Sequence, residues 1–248
     1  FLEVQQEVSH WVATYQQVLA PEEKRVALFS KNSKELYFSI LALWELGKEL
    51  LFLNTHLTLA ELTFQLKDAQ VKTIIGAPET QALLEEISFV DVQPMVKKQH
   101  SLLRQEFQQP SDLESVASIM YTSGTTGQPK GVLQRFKNHL ASARGTQENM
   151  GITAEDCWLC AVPLFHISGL SIVFRQLVLG CSIRLYDKFD EQQVTQDLQE
   201  GRGTVISVVA TMLQQLLSVY PEAGYSVSFK GMLLGGGPIA PDKLAQCE

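Results

Sequence analysis

No apolar run in this chain approaches the ~20 residues that a membrane-spanning helix requires. The longest candidate, residues 37–46, is short and interrupted by polar side chains, so no transmembrane segment is expected. A surplus of positive charge is missing as well. Lysine and arginine number 20 against 27 aspartates and glutamates, for a net charge of -7. Neither nucleic acid nor an anionic membrane surface would be attracted to such a chain in general. Cysteine is scarce, with four at positions 157, 160, 181 and 247. Cys157 and Cys160 form a C-x-x-C pair, a spacing found in zinc sites and thiol redox centres. No second pair at ligand spacing accompanies it, and the segment reads as a strand, where positions three apart face opposite ways. The thiols are therefore expected to be unpaired and buried as small hydrophobes, which fits a reducing cytoplasm. Internal repeats and low-complexity segments are absent too.

What remains is a globular profile, 45% hydrophobic and 19% charged over 248 residues, enough for one large domain or two smaller ones. The chain opens on Phe1, and its first twenty residues, with Glu3, Glu7 and several glutamines, are unlike a signal peptide. They are expected to form a helix with Leu2, Val8, Trp11, Val12 and Tyr15 on one side. Both ends are expected to be cut from a longer protein. Residues 26–29 read as a strand, 34–46 as a helix ended by Gly47, and 50–53 as a second strand. Thr58 stands three residues before Glu61, a capping-box spacing that opens a helix to Asp68. Residues 71–75 read as a third strand closed by Gly76. This alternation predicts an α/β fold with a mainly parallel, doubly wound sheet. Residues 87–92 are read as an edge strand and 99–111 as a linker. From 153 the alternation resumes. Strands are expected at 158–162, 181–186, 205–209 and 231–234, with helices running to Leu179, over 189–200 (Phe189, Val194 and Leu198 inward) and over 211–220. Two packed sheets are expected, the first in residues 1–152 and the second in 153–248.

One stretch organises the rest. Residues 121–132 read YTSGTTGQPKGV, after the apolar strand 117–120 and before a segment, 135–150, suited to a helix. Three glycines let backbone N–H groups approach an anion, four hydroxyls add donors, and Lys130 supplies a compact positive charge. Such a loop can cradle phosphate. It does not match the Walker pattern G-x-x-x-x-G-K-[ST], because Lys130 follows Pro129 and precedes Gly131. A Walker-type phosphotransferase or GTPase is thereby disfavoured. Farther on, His166 follows a strand and a proline turn and precedes a Ser-Gly pair, Ser168 and Gly169. Spacing alone is satisfied by a helix-entry residue whose ring caps the turn. Thr211 follows a buried strand and is placed to cap the next helix. Gly235, Gly236, Gly237 and Pro238 follow another strand as a turn. Arg135, Lys137, Arg144 and Arg175 are read as mostly solvated surface charges.

The order [ST]-G-T-T-G-x-P-K-G resembles the nucleotide-binding signature of the adenylate-forming superfamily, which contains acyl-CoA synthetases, luciferases and peptide-synthetase adenylation domains. The later segments P-L-F-H and G-G-G-P are similar to further motifs of that superfamily, in the same order. The resemblance implies that Thr122, Ser123, Gly124, Thr125, Thr126, Gly127 and Lys130 bind the phosphates of ATP. It places the Thr126 hydroxyl near Mg²⁺ and gives Thr126, Lys130 and His166 catalytic roles. Gly235 to Pro238 would lie against adenine, and His166, Ser168, Gly169 and Thr211 would line the acyl pocket. Amino-acid-activating members carry an aspartate after the phenylalanine of the second motif. His166 stands there, which favours an acid without an amino group. The runs SIMYTSGTTGQPKGVLQ, WLCAVPLFHISGLSI, VISVVATML and LLGGGP are similar to the o-succinylbenzoate–CoA ligase branch, which serves menaquinone biosynthesis. The activity implied is an ATP-dependent acid–CoA ligase that forms an acyl-adenylate and then a thioester with CoA. The resemblance also implies a small C-terminal domain with a catalytic lysine, beyond Glu248, so the fragment alone is expected to be impaired. Another aryl or fatty acid CoA ligase, or a non-catalytic nucleotide-binding fragment, remains open at this point, as does a homo-oligomer.

Overall fold

The computed structural model describes residues 2–98, 112–123 and 128–237. The expected linker 99–111, Gly124 to Gly127, Pro238 and Cys247 lie outside these. The chain divides into two compact units, residues 1–139 and 140–248. The sequence reading set this boundary at 152/153.

Unit 1 opens with α1 (Leu2–Gln16), then alternates β1 (Arg25–Phe29), α2 (Lys34–Glu45), β2 (Glu49–Phe52), α3 (Leu59–Asp68) and β3 (Thr73–Gly76). A turn of 3-10 helix, Pro78–Thr80, leads into the short α4 (Gln81–Leu84). Then come β4 (Asp91–Pro94), β5 (Val116–Thr122), β6 (Lys130–Arg135) and α5 (Phe136–Met150), whose later turns belong to unit 2. The sheet order is β4-β3-β1-β2-β5-β6, parallel except for the β5–β6 pair. Every residue of β2 and β3 is buried. Strands covered by helices on both faces read as continuous apolar runs, which is why their positions were visible in the sequence. The boundaries of α2 and α3 follow from their caps. Ser33 accepts from the Leu36 N–H at 3.0 Å, and Thr58 with Glu61 forms the reciprocal capping box.

Unit 2 contains β7 (Cys157–Cys160), α6 (Ile167–Leu179), β8 (Ser182–Leu185), α7 (Glu191–Gln199), β9 (Val205–Val209), α8 (Ala210–Ser218) and β10 (Gly231–Gly235). Its strands are all parallel, in the order β10-β9-β7-β8. Asp156, 3% exposed, joins the amino ends of three of them. It accepts from the Thr153 N–H, the Thr204 hydroxyl and the Lys230 ammonium, each at 2.7 Å. Burial alone would raise its pKa, but these donors outweigh burial and hold the carboxyl below its usual range.

Several expectations are corrected. Leu2 does not share the packed side of α1 and is 69% exposed. Residue 135 ends a strand rather than beginning a helix, because 130–135 pairs antiparallel with β5. Residues 71 and 72 precede β3, and Phe189 is half-buried ahead of α7. Cys160 and Cys181 are buried free thiols, whereas Cys157 is half-buried. Arg175 is not solvated: it is 6% exposed, stacks on the Trp158 ring at 4.6 Å, and donates to the Thr146 hydroxyl at 3.1 Å.

Candidate phosphate hairpin and acyl-pocket edge

In unit 1 the glycine-rich stretch is flanked by β5 and β6, which pair antiparallel as a hairpin as far as Thr122 and Lys130. Thr122, Ser123 and Lys130 are exposed at this end. The base of the hairpin is anchored by side chains. Tyr121 faces Gly131, where an added Cβ would come within 3.1 Å of the phenol ring. The Tyr121 hydroxyl donates to the Asp68 carboxylate and reaches the Gln65 carbonyl at 3.3 Å, which ties the hairpin to α3. Burial, and then the Asp68 carboxylate, push the Tyr121 phenol up. Behind β5, buried Ser118 shares a 2.9 Å hydrogen bond with Nε2 of buried His139 on α5. Desolvation lowers the His139 pKa to about 4, so the ring is neutral at pH 7. Trp44 adds a 2.8 Å hydrogen bond from its indole to the Ala117 carbonyl.

In unit 2 the remaining site residues follow β7, β9 and β10, which are neighbours in the sheet. Parallel strands end at one edge, so these loops share the carboxyl edge, where open α/β sheets bind ligands. His166 is the N-cap residue of α6, but its side chain makes no capping hydrogen bond. Its backbone does the turning, accepting from the Gly169 and Leu170 N–H groups at 3.0 Å. His166 and Ser168 are exposed. Gly169 is buried against the Pro163 carbonyl, where an added Cβ would sit 2.2 Å from the oxygen. Thr211 is exposed and lies inside α8, whose N-cap is Val209, so the capping role expected for it is overturned. The run 235–237 is exposed, and Gly236 takes φ +90, a conformation that favours glycine.

The structure thus sets His166, Ser168, Gly169, Thr211 and Gly235 to Gly237 along one sheet edge, and Thr122, Ser123 and Lys130 at one hairpin end. Sequence reasoning did not single out Tyr121 or His139. The hydroxyls of Ser118 and Tyr121 within the otherwise apolar run 117–121 were the available signal for side chains anchored behind the loop.

These features define a doubly wound α/β protein with its polar and glycine-rich loops at strand ends, a class built to hold nucleotides and small acids. Residues 16–248 match the family described as AMP-binding enzyme, and the chain belongs to that family. It is 98% identical over its whole length to a 2-succinylbenzoate–CoA ligase from Enterococcus faecalis, of which it covers 51%. It is 41% identical over 92% of its length to the ligase of the same name from Listeria monocytogenes, of which it covers 48%. The chain therefore spans about half the length of these relatives. Among solved structures, O-succinylbenzoate coenzyme A synthetase from Bacillus subtilis in complex with AMP matches with a TM-score of 0.87 and 32% identity. That match covers 99% of this chain and 63% of the other. The same enzyme in complex with ATP and magnesium ion matches with a TM-score of 0.86 and 32% identity, over 99% and 51%.

Proposed function

We propose that the protein to which this chain belongs is an ATP-dependent o-succinylbenzoate–CoA ligase of menaquinone biosynthesis. The observation that carries this is the 98% identity to the Enterococcus faecalis ligase across all 248 residues. The reaction has two halves. A carboxylate oxygen of the acid attacks the α-phosphorus of ATP and pyrophosphate leaves, which turns a poor electrophile into an acyl-adenylate. The sulfur of CoA then attacks the acyl carbon, and AMP leaves as the thioester forms. Charge builds on the phosphate oxygens in the first half. Donors held in advance around them lower that barrier more than mobile water can.

The hairpin suits that task. Its base is tied down by Tyr121, Ser118 and His139, while Thr122, Ser123 and Lys130 face solvent at its end. In this reading Lys130 and the donors of Ser123, Gly124, Thr125, Thr126 and Gly127 hold the phosphates. Among the described residues, no group of three His, Cys, Asp or Glu side chains is placed to hold a metal ion. In this reading the Thr126 hydroxyl would hold Mg²⁺ together with the substrate phosphates. There Mg²⁺ would neutralise phosphate charge. His166, Ser168, Gly169 and Thr211 line the acid's pocket, and Gly235 to Pro238 give the adenine a surface free of side chains. His166 has no carboxylate to offer a substrate ammonium, so an acid without an amino group is preferred. The described helices include none long and apolar enough to cross a membrane, and a cytoplasmic location is part of the same proposal.

The test is acid-dependent exchange of labelled pyrophosphate into ATP by the full-length protein. Exchange is expected with o-succinylbenzoate and not with benzoate, a medium-chain fatty acid or an amino acid. Exchange with one of the others instead would overturn the substrate and keep the chemistry. No exchange with any acid would overturn the ligase reading.

A further inference from the structure

The first four strands of unit 1 are ordered β4-β3-β1-β2, and those of unit 2 are ordered β10-β9-β7-β8. Numbered within each unit, both read fourth, third, first, second. The chain leaves the first strand toward one side and later returns to the other, so strand order reverses between the first and third strands. At such a reversal the following connections diverge and leave a crevice at the carboxyl ends. In unit 2 that position is flanked by His166, after β7, and Thr211, in the first turn of α8. In unit 1 no sequence motif falls there, yet a cavity of about 520 Å³ opens at the corresponding place.

Its lining comes from the segments after β1, β3 and β4, with α1 along one side. The polar part follows β1. Ser30 and Asn32 are 3% and 6% exposed, and Ser33 caps α2. The first-turn amides of Lys34 and Glu35 have no partner within the helix, and the helix dipole favours a negative group near them. Lys31 and Lys34 stand exposed at the rim, and Lys97 is held by Glu7 at 2.8 Å. The apolar part is Trp11 and Met95, both buried, and Phe38, half-buried. Glu35 and Glu79 are also exposed lining residues. Their charge disfavours a polyphosphate and leaves room for a single acidic group.

We propose that the crevice between β1 and β3 is a second small-molecule site, taking a compact organic anion. Its carboxylate or phosphate sits at the start of α2 beside Lys31 and Lys34, and its apolar body lies against Trp11 and Phe38. The volume suits such a ligand. The inference rests on the geometry of unit 1 alone and stands whether or not the ligase reading does.

The experiment follows the Trp11 indole resonance, assigned with Trp11→Phe, in ¹⁵N-labelled full-length protein. Benzoate and phenyl phosphate are the two probes. A saturable shift of that resonance is expected, retained in Thr126→Ala and weakened about tenfold in the double variant Lys31→Glu/Lys34→Glu. A response to benzoate alone assigns the site to carboxylates, and one to phenyl phosphate alone assigns it to phosphate esters. No saturable shift with either probe up to about 10 mM would overturn the proposal. So would an unchanged affinity in the double variant, or loss of the shift in Thr126→Ala, which would trace it to the hairpin.

Discussion

His139 shows how a single buried side chain couples stability to pH. Its folded pKa is about 4 against an ordinary value of 6.5, the cause being desolvation. Between those values the unfolded chain binds a proton that the folded one does not. The stabilisation from the neutral ring is therefore complete above about pH 6.5 and is lost as pH falls toward 4, by at most about 3 kcal/mol. Urea unfolding followed from pH 7 to pH 4.5 should show that slope, and His139→Gln should flatten it. Thr126 and Lys130 act on the reaction instead. Thr126→Ala or Lys130→Ala should slow adenylation by the full-length protein about a hundredfold with an unchanged circular dichroism spectrum. Unchanged adenylation would remove the hairpin from the mechanism. The residue types in the hairpin were legible because their chemistry is local. His139 was not, since nothing in residues 136–142 announces that Ser118, twenty-one positions earlier, sits against its ring.

Elements with strong local signals emerged close to where the sequence put them. α2 and α3 have caps that take up the Leu36 and Glu61 amides, and α6 stops at Gly180, which takes the left-handed φ of +77. β6 was missed. Its residues 130–135 are all at least partly exposed, so no apolar run marks it, and only pairing with β5 makes it a strand. Arg175 was misread for the opposite reason. Its charge suggested solvent, while α6 turns it onto the Trp158 ring. The entry to α6 also depends on one close approach. Gly169→Ala would drive a Cβ into the Pro163 carbonyl, which should cost about 1–3 kcal/mol. The resulting shift of the turn at His166 should raise KM for the acid more than KM for ATP. Equal effects on both, or none, would count against His166 and its neighbours lining the acid's pocket.

At the scale of the whole molecule, two units with the same four-strand order carry different signals. Unit 2 is closed at its amino edge by the Asp156 cluster, whose partners lie on or beside β7, β9 and β10. Asp156→Ala removes the buried acceptor shared by the Thr153 amide, the Thr204 hydroxyl and the exposed Lys230 ammonium, a loss of about 1–3 kcal/mol. Hydrogen exchange should quicken in β7, β9 and β10, while the amides of β1 to β3 keep their protection. Equal loss of protection in both sheets would show that the cluster supports more than unit 2.

The sequence by itself determined the alternation of strands and helices, the glycine-rich loop with its lysine, and the family to which those motifs point. Such features depend on neighbours a few positions apart, through periodicity, capping and backbone freedom. Only the tertiary structure decided that the strands flanking the loop pair antiparallel and that Arg175 is buried. It alone set three loops at one edge of the second sheet and opened a crevice at the matching edge of the first. Those outcomes depend on strand order, and strand order is settled by which apolar faces cover one another across the chain.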